Sequence, residues 1–419
     1  MKTIKNWLMT EPEKKMANNY IWNMLGSLSM ALSTMVLTIA ANRIMGDFAG
    51  GDFAMALAAG QLMATIGYFE TRVYQVTDTQ ERYDFSDYYF SKIVTSIIMI
   101  ISSIIYILIK GFTIEKSFLV FLLCVYKFMD VYADVFEGEF QLRERLDISG
   151  KSMTLRIVLS TVVLIVILYI TRNLYISSLA AIIISIIIIY YANICIIPEF
   201  YSRKYTFKFN KIKNIIIDCF PLFISTFMST YILNASRYAI EGIMPSNYHS
   251  SYTAIFLPVS VINLCVGFLF KPMLTDMARK WNYCYYEEFI KTIMMLLGGV
   301  LGVTLLVLFC GYYLGIPVLS FLYATDLNGY KLPFMILLIG GGLNSANVIL
   351  YYTLSVMRKQ RYVLFAYVLT FIFSLIVPNV LTQQYEVLGA SFSFTLTMLV
   401  LGVILFLLVA IQFFKAIRR

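Results

Sequence analysis

The chain has 419 residues, of which 60% are hydrophobic and 14% are charged, and its formal net charge at pH 7 is +9. A soluble domain carries about 25% charged residues, so a water-soluble protein of this composition would expose large apolar areas to solvent. The composition argues against a soluble enzyme or a nucleic-acid-binding protein, and favours a membrane protein whose Lys and Arg collect on the cytoplasmic side.

Apolar stretches of about 20 residues, each bounded by polar or charged residues, recur along the chain and predict twelve membrane-spanning helices. The fold class expected is therefore all-α and polytopic, with both termini on one side of the membrane. We place the spans at 18–42, 51–75, 88–109, 117–140, 152–171, 175–197, 213–243, 250–271, 287–310, 332–356, 362–382 and 387–413.

The distribution of cations between the loops predicts the orientation. With a cytoplasmic N-terminus, the tails and even-numbered loops hold roughly 22 Lys and Arg residues and the opposite side about five. Both termini are thus expected in the cytoplasm of a bacterial-type cell membrane. The expected organisation is a cytoplasmic segment (1–17), an N-terminal lobe (18–197), a cytoplasmic linker (198–212), a C-terminal lobe (213–413) and a cytoplasmic tail (414–419).

The two halves of six spans show weak similarity in the same direction. Each has an arginine late in its first span, Arg43 or Arg237, and a Gly-aromatic pair late in its second, beginning at Gly67 or Gly267. Such repeats suit two lobes related by a pseudo-two-fold axis along the membrane normal. The alternative is that two pairs of apolar helices are alike by composition only.

Four charged residues of the fourth span, Lys127, Asp130, Asp134 and Glu137, are spaced by 3, 4 and 3 residues and share one helical face. An ionised side chain near mid-bilayer costs about 2.5–3.5 kcal/mol on insertion scales, so such residues usually face a cavity or a partner. We expect Lys127 to bind substrate and Asp130 and Asp134 to serve ion coupling or gating. The alternative is that Glu137 and Asp134 lie at the cytoplasmic interface, with a self-neutralising Lys127–Asp130 pair.

The seventh span carries Arg237 well inside its apolar run, with Asn234 one turn earlier and Glu241 four residues later. We expect Arg237 and Asn234 to bind substrate, and Glu241 to take part in ion coupling or gating. The alternatives for Arg237 are an intrahelical pair with Glu241 and a side chain that reaches the outer headgroups.

Further candidates lie near span ends or in neighbouring spans. Glu70 and Arg72 close the second span as part of a gate, or alternatively of an interfacial rim. Arg156 in the fifth span is placed to pair with an acid of the fourth. The candidate substrate-binding residues are completed by Arg72, Arg156, Arg43 at the end of the first span and Asn263 in the eighth.

No motif in the chain predicts a cofactor or a metal site. The run Gly150-Lys151-Ser152 resembles the end of a phosphate-binding loop, but Arg145 stands where that motif requires glycine. The six cysteines show no CxxC spacing and His249 is the single histidine. We expect that any energy comes from an H⁺ or Na⁺ gradient or from the membrane potential.

Three stretches resemble a known family. YILNASRYAIEGIM (231–244) and FLPVSVINLCVGFLFKPMLTDMARKW (256–281) look like the seventh and eighth helices of Wzx-type polysaccharide flippases of the multidrug/oligosaccharidyl-lipid/polysaccharide (MOP) superfamily. TIGYFETRVYQVTDTQERYDFSDY (65–88) is similar to their second-to-third helix region. The resemblance implies a MATE-like fold with two six-helix lobes, a cationic central cavity and a basic residue at the position of Arg237. The acidic residues of the fourth span depart from a purely cationic cavity.

The resemblance further implies a flippase, not an enzyme, that moves an undecaprenyl-diphosphate-linked oligosaccharide to the outer leaflet by alternating access, for cell-surface polysaccharide biosynthesis. Its partners would be this substrate, membrane lipids, and a polysaccharide polymerase and glycosyltransferases, but no nucleic acid. We expect a monomer. The alternative is a cation-coupled multidrug exporter of the same fold, with Asp130 and Asp134 as the exchange site. An integral-membrane enzyme is a third interpretation, although the outer loops are short and His249 lacks an evident partner.

Overall fold

The computed structural model describes residues 2–9, 15–244, 246–323 and 327–417. Within these ranges the chain forms α-helices with short 3-10 and π-helical turns and no strands. The helices are α1 (Lys2–Met9), α2 (Lys15–Met45), α3 (Asp47–Tyr68), α4 (Thr71–Val76), α5 (Phe85–Lys110), α6 (Ile114–Leu142), α7 (Leu146–Thr171), α8 (Leu174–Ile189), α9 (Phe209–Ile243), α10 (Ser246–Phe270), α11 (Leu274–Asn282), α12 (Tyr286–Cys310), α13 (Ile316–Tyr323), α14 (Lys331–Val356) and α15 (Gln360–Ile417).

Eight helical segments of the described ranges are long and apolar enough to cross a membrane. One of them, α15, is two spans, because Glu386 interrupts it with φ 53° and ψ −133°. The charged α6, together with α3 and α10, completes a set of twelve. The predicted all-α, twelve-helix fold is thus confirmed.

The surfaces of these helices have the polarity expected in lipid. On α5, Leu108 and Ile109 are 74% and 79% exposed, whereas Lys92 and Thr95 are buried. A helix that exposes its apolar residues and buries its polar ones is the reverse of an amphipathic helix in a soluble protein. The arrangement is stable where the surrounding solvent is hydrocarbon.

The chain forms two compact units, Met1–Phe223 and Ile224–Arg419. The division falls inside α9, so the predicted linker 198–212 belongs to the first unit. Close helix packing within each unit depends on glycine. A Cβ on Gly150 of α7 would lie 2.4 Å from the carbonyl oxygen of Trp22 on α2, and a Cβ on Gly342 of α14 would lie 2.5 Å from the side chain of Thr304 on α12.

The second predicted span, 51–75, is not continuous. α3 ends at Tyr68 and α4 begins at Thr71, because Phe69 and Glu70 adopt left-handed φ values of 47° and 53°. This conformation costs a non-glycine residue about 1–2 kcal/mol. Neither residue is glycine or proline, so the local sequence gives no signal for the interruption.

The N-terminal helix α1 packs against the first unit. Leu8 is fully buried, and the carbonyl oxygens of Trp7 and Leu8 accept hydrogen bonds from Lys151 Nζ and Arg145 Nη2, each at 3.3 Å. Cations at a helix C-terminus satisfy its unpaired carbonyls and its dipole. Lys151, which belongs to the run that resembles a phosphate-binding loop, thus contacts the C-terminal end of α1.

Candidate functional site

The charged face of α6 points into the first unit. The exposed fractions of Lys127, Asp130, Asp134 and Glu137 are 4%, 8%, 5% and 2%. Since Glu137 is as buried as the others, the whole face contacts protein. The boundary between two apolar clusters falls within this stretch of α6. One cluster contains Leu123 and Val131 and the other contains Val135 and Phe140.

Arg156 of α7 joins two acids of this face. Its Nε lies 3.1 Å from Asp130 Oδ1 and its Nη1 lies 2.6 Å from Glu137 Oε1. Lys127 Nζ also contacts Asp130, at 3.4 Å from Oδ2. The expected pairing of Arg156 is therefore present, and the Lys127–Asp130 pair is not isolated, since Asp130 is shared.

Arg72 enters from α4. Its Nη1 lies 3.2 Å from both Asp134 Oδ1 and Glu137 Oε2, and its Nη2 donates to Ser149 Oγ at 2.9 Å. The interruption before α4 sets the direction of this short helix. Gly138 permits its close approach to α6, because a Cβ there would lie 2.4 Å from a side-chain oxygen of Gln75 on α4.

Lys92 of α5 is a member of the site that sequence reasoning missed. Its Nζ lies 3.0 Å from Asp134 Oδ2 and donates to the carbonyl oxygen of Tyr68 at 3.1 Å. That carbonyl belongs to the last turn of α3, where backbone oxygens lack helical partners. The signal for Lys92 in the sequence is a lysine about two turns inside an apolar span, which is the same kind of signal that marks Lys127.

We call this set the ionic cluster. Within the described part of the chain its four cations face three carboxylates, which leaves one excess positive charge when all are ionised. Removing one partner from such a buried network costs about 3–5 kcal/mol, because the remaining charge is uncompensated. The members are Arg72, Lys92, Lys127 and Arg156 with Asp130, Asp134 and Glu137.

Two candidates of the first unit lie elsewhere. Arg43 is exposed at the C-terminal end of α2. Glu70 is half-buried at the left-handed position that precedes α4. The structure thus brings together Arg72, Lys127, Arg156, Asp130 and Asp134 among the predicted residues, whereas Arg43 stays at a helix end.

In the second unit, Arg237 is half-buried beside an aromatic ring. Its Nη1 donates to Asn234 Oδ1 at 3.1 Å, and its guanidinium carbon lies 4.0 Å from the centre of the Phe256 ring. This is a cation–π contact in addition to the expected proximity of Asn234. The side chain of Glu241 lies outside the described residues, and so does its predicted pair with Arg237.

A second polar group in this unit consists of amides and a hydroxyl. Asn263 Oδ1 of α10 accepts hydrogen bonds from Asn344 Nδ2 at 2.9 Å and from Ser345 Oγ at 2.7 Å, both on α14. We call Asn263, Asn344 and Ser345 the amide cluster. On α14, Asn344, Asn347 and Tyr351 repeat the 3 and 4 spacing of the charged residues of α6, but without charge.

No protein-family model and no curated protein sequence matches the chain. Solved structures match it over nearly its whole length. The Vibrio cholerae MATE transporter VcmN in its bent form has a TM-score of 0.78 at 13% identity, covering 96% of this chain and 97% of that one. An outward-facing multidrug resistance MATE family transporter of the MOP superfamily has a TM-score of 0.69 at 14% identity, covering 98% of both chains.

A MOP superfamily transporter from Pyrococcus furiosus, described as having a binding pocket of reversed polarity, also matches. Its TM-score is 0.68 at 13% identity, with 99% of this chain and 98% of that one covered. The fold is therefore the fold of MATE transporters, which are twelve-helix membrane proteins, and the structural neighbours belong to the MOP superfamily.

Proposed function

We propose that this chain is an alternating-access membrane transporter that flips an undecaprenyl-diphosphate-linked oligosaccharide from the cytoplasmic to the outer leaflet, for the synthesis of a cell-surface polysaccharide. The observation that carries the proposal is the excess positive charge of the ionic cluster, buried within a fold shared with transporters. The Wzx-like segments around Arg72 and Arg237 support the same cargo.

The chemistry of this cargo suits the polar groups of the two units. A diphosphate is an anion that the planar guanidinium of arginine binds in a bidentate manner. Arg72 is the most accessible cation of the ionic cluster, with 26% of its side chain exposed, and Arg237 is the candidate cation of the second unit. The amide cluster offers donors and acceptors that match sugar hydroxyls.

The acids of the ionic cluster provide a route for coupling. Each carboxylate contacts at least one cation, so protonation of Asp130 or Asp134, or a bound Na⁺, would weaken those contacts and release a cation for the phosphate. The membrane potential contributes as well. Outward movement of negative charge is favoured by about 2.3 kcal/mol per charge per 100 mV when the cell interior is negative.

The second candidate is a cation-coupled multidrug exporter. It is favoured by the structural likeness to a multidrug resistance MATE transporter. A cationic drug would need a carboxylate that can accept it. In the ionic cluster Asp130, Asp134 and Glu137 all face protein cations within 3.4 Å, which supports an anionic cargo instead.

Two assays with the same plasmid test the proposal. The gene is expressed in a bacterial strain that lacks its own polysaccharide flippase, and surface glycan is measured. It is also expressed in a drug-sensitive strain that lacks its efflux pumps, and the inhibitory concentrations of cationic drugs are measured. We expect restored glycan and unchanged drug sensitivity. Drug resistance without any glycan export would contradict the flippase and favour the exporter.

A further inference from the structure

Residues 203–213, with the sequence RKYTFKFNKIK, form a segment of unusual composition that follows α8 and runs into the start of α9. Five cations alternate with three aromatic residues over eleven positions. We call it the basic–aromatic segment. It includes the end of the predicted linker and the first turn of α9 (Phe209–Ile243).

One side of this segment is fixed to α5. Arg203 Nη1 and Lys208 Nζ lie 2.9 Å and 3.5 Å from the two carboxylate oxygens of Asp84, and Lys211 Nζ lies 3.1 Å from Asp87 Oδ2. Asp84 and Asp87 form the N-terminal capping box of α5. The segment therefore has a defined position on the first unit.

The other two cations of the segment are not part of these ion pairs. Lys204 and Lys213 are exposed and, among the residues that the structure describes, neither has a hydrogen-bond or ion-pair partner. Tyr205, Phe207 and Phe209 lie between them along the chain and are 45%, 61% and 65% exposed. A partner of such a surface must offer anionic groups for the cations and an apolar region for the aromatic rings.

The position of the segment indicates which partner offers both anionic groups and an apolar region. Apolar helices that are long enough to span a membrane end just before it and begin within it, so the segment lies at the membrane surface. There, aromatic rings settle at the boundary between headgroups and acyl chains, and lysines reach the phosphates of anionic lipids.

We propose that the basic–aromatic segment binds anionic phospholipid, of the phosphatidylglycerol class, in the leaflet that it borders, through Lys204, Lys213 and the exposed rings. The lipid bound here is distinct from the cargo, since the segment shares no residue with the ionic cluster or with the amide cluster. The proposal stands whether the chain transports a glycan lipid or a drug.

The test uses the full-length protein purified in neutral detergent. Phosphatidylglycerol is titrated in, and native mass spectrometry measures the occupancy of bound lipid; phosphatidylcholine with the same acyl chains is a parallel probe. The variant is K204Q/K213Q, and the matched control is K359Q/R361Q, which removes the same charge at the start of α15. A lysine near an anionic membrane surface contributes about 1 kcal/mol, so we expect about a fivefold loss of phosphatidylglycerol affinity for each lysine removed.

Two results would overturn the proposal. One is equal affinity of the wild type and K204Q/K213Q for phosphatidylglycerol, with the control variant also unchanged. The other is binding of a soluble acidic peptide, such as polyglutamate, that depends on Lys204 and Lys213 while the lipids bind without discrimination. The second result would assign the segment to an acidic protein partner. A further variant, F207S, should lower affinity for both lipids, because it removes only the apolar contribution.

Discussion

The hydroxyl of Tyr74 donates a hydrogen bond of 2.7 Å to Oδ2 of Asp218, and this contact joins α4 to the first part of α9. Beside it, the ring of Phe69 stacks on Phe223 with 4.6 Å between centroids. α4 also carries Arg72, so the helix that supplies a cation to the ionic cluster is attached to α9.

Tyr74→Phe should therefore impair transport as well as stability. A hydrogen bond to a charged group contributes about 1.5–3 kcal/mol, and its loss would detach α4 from Asp218. The control is Tyr126→Phe, which removes a hydroxyl that lies 3.0 Å from the neutral hydroxyl of Ser160. Thermal unfolding in detergent and glycan export measure the two effects. Equal transport by the two variants at equal abundance would contradict a role for the α4–α9 contact.

The ion pairs of Arg156 predict that a second substitution will restore part of the stability that is lost in Arg156→Met. Arg156→Met leaves Asp130 and Glu137 with less compensation, and should lower the free energy of unfolding by about 3–5 kcal/mol. In the double variant R156M/E137M one charge of each sign is lost, while Asp130 keeps Lys127 and Asp134 keeps Lys92. We expect the double variant to unfold at a higher temperature than R156M. A double variant less stable than R156M would show that the cluster is not held by charge compensation.

Substitution of Lys127 tests whether transport needs the excess positive charge of the ionic cluster. In Lys127→Gln all three acids keep at least one cation, because Asp130 retains Arg156 at 3.1 Å. Stability should fall by less than in Arg156→Met, because Lys127 makes one ion pair in the cluster and Arg156 makes two. Flipping of a diphosphate-linked cargo should fall about tenfold or more, as a charged hydrogen bond is lost. Lys127→Arg keeps the charge and is the control. The measurement is the rate of flipping in proteoliposomes, and an unchanged rate in Lys127→Gln would remove the excess charge from the mechanism.

Arg237→Ala should abolish or strongly reduce transport while the protein inserts normally. The cation–π contact with Phe256 contributes about 0.5–2 kcal/mol, so the fold should tolerate its loss, but the second unit would lose its candidate phosphate ligand. Arg237→Lys retains the charge and should retain part of the activity. Glycan export is compared at matched membrane abundance. Normal export by Arg237→Ala would exclude Arg237 from substrate binding.

The twelve-helix architecture and the polar face of α6 follow from local pattern. Apolar length reveals a span because the hydrocarbon thickness is fixed. The 3, 4 and 3 spacing of Lys127, Asp130, Asp134 and Glu137 places them on one face through the geometry of the helix alone. Their lack of exposure is also expected, since uncompensated charge in lipid is costly.

The partners of the polar face of α6 could not be predicted from local sequence pattern. Lys92 and Arg72 approach Asp134 from helices that are distant in sequence, and only packing determines that approach. The interruption at Phe69 and Glu70 is equally hidden, because two ordinary residues are held in a left-handed conformation by their surroundings.

The sequence by itself determined that this protein is a helical membrane protein with scarce charges kept away from lipid, because composition and periodicity act within each helix. Only the tertiary structure decided that four cations and three acids share one cluster and that α4 is linked to α9 through Tyr74 and Asp218. Those relationships depend on side chains from separate helices meeting at hydrogen-bond distance, and no local pattern encodes which helices become neighbours.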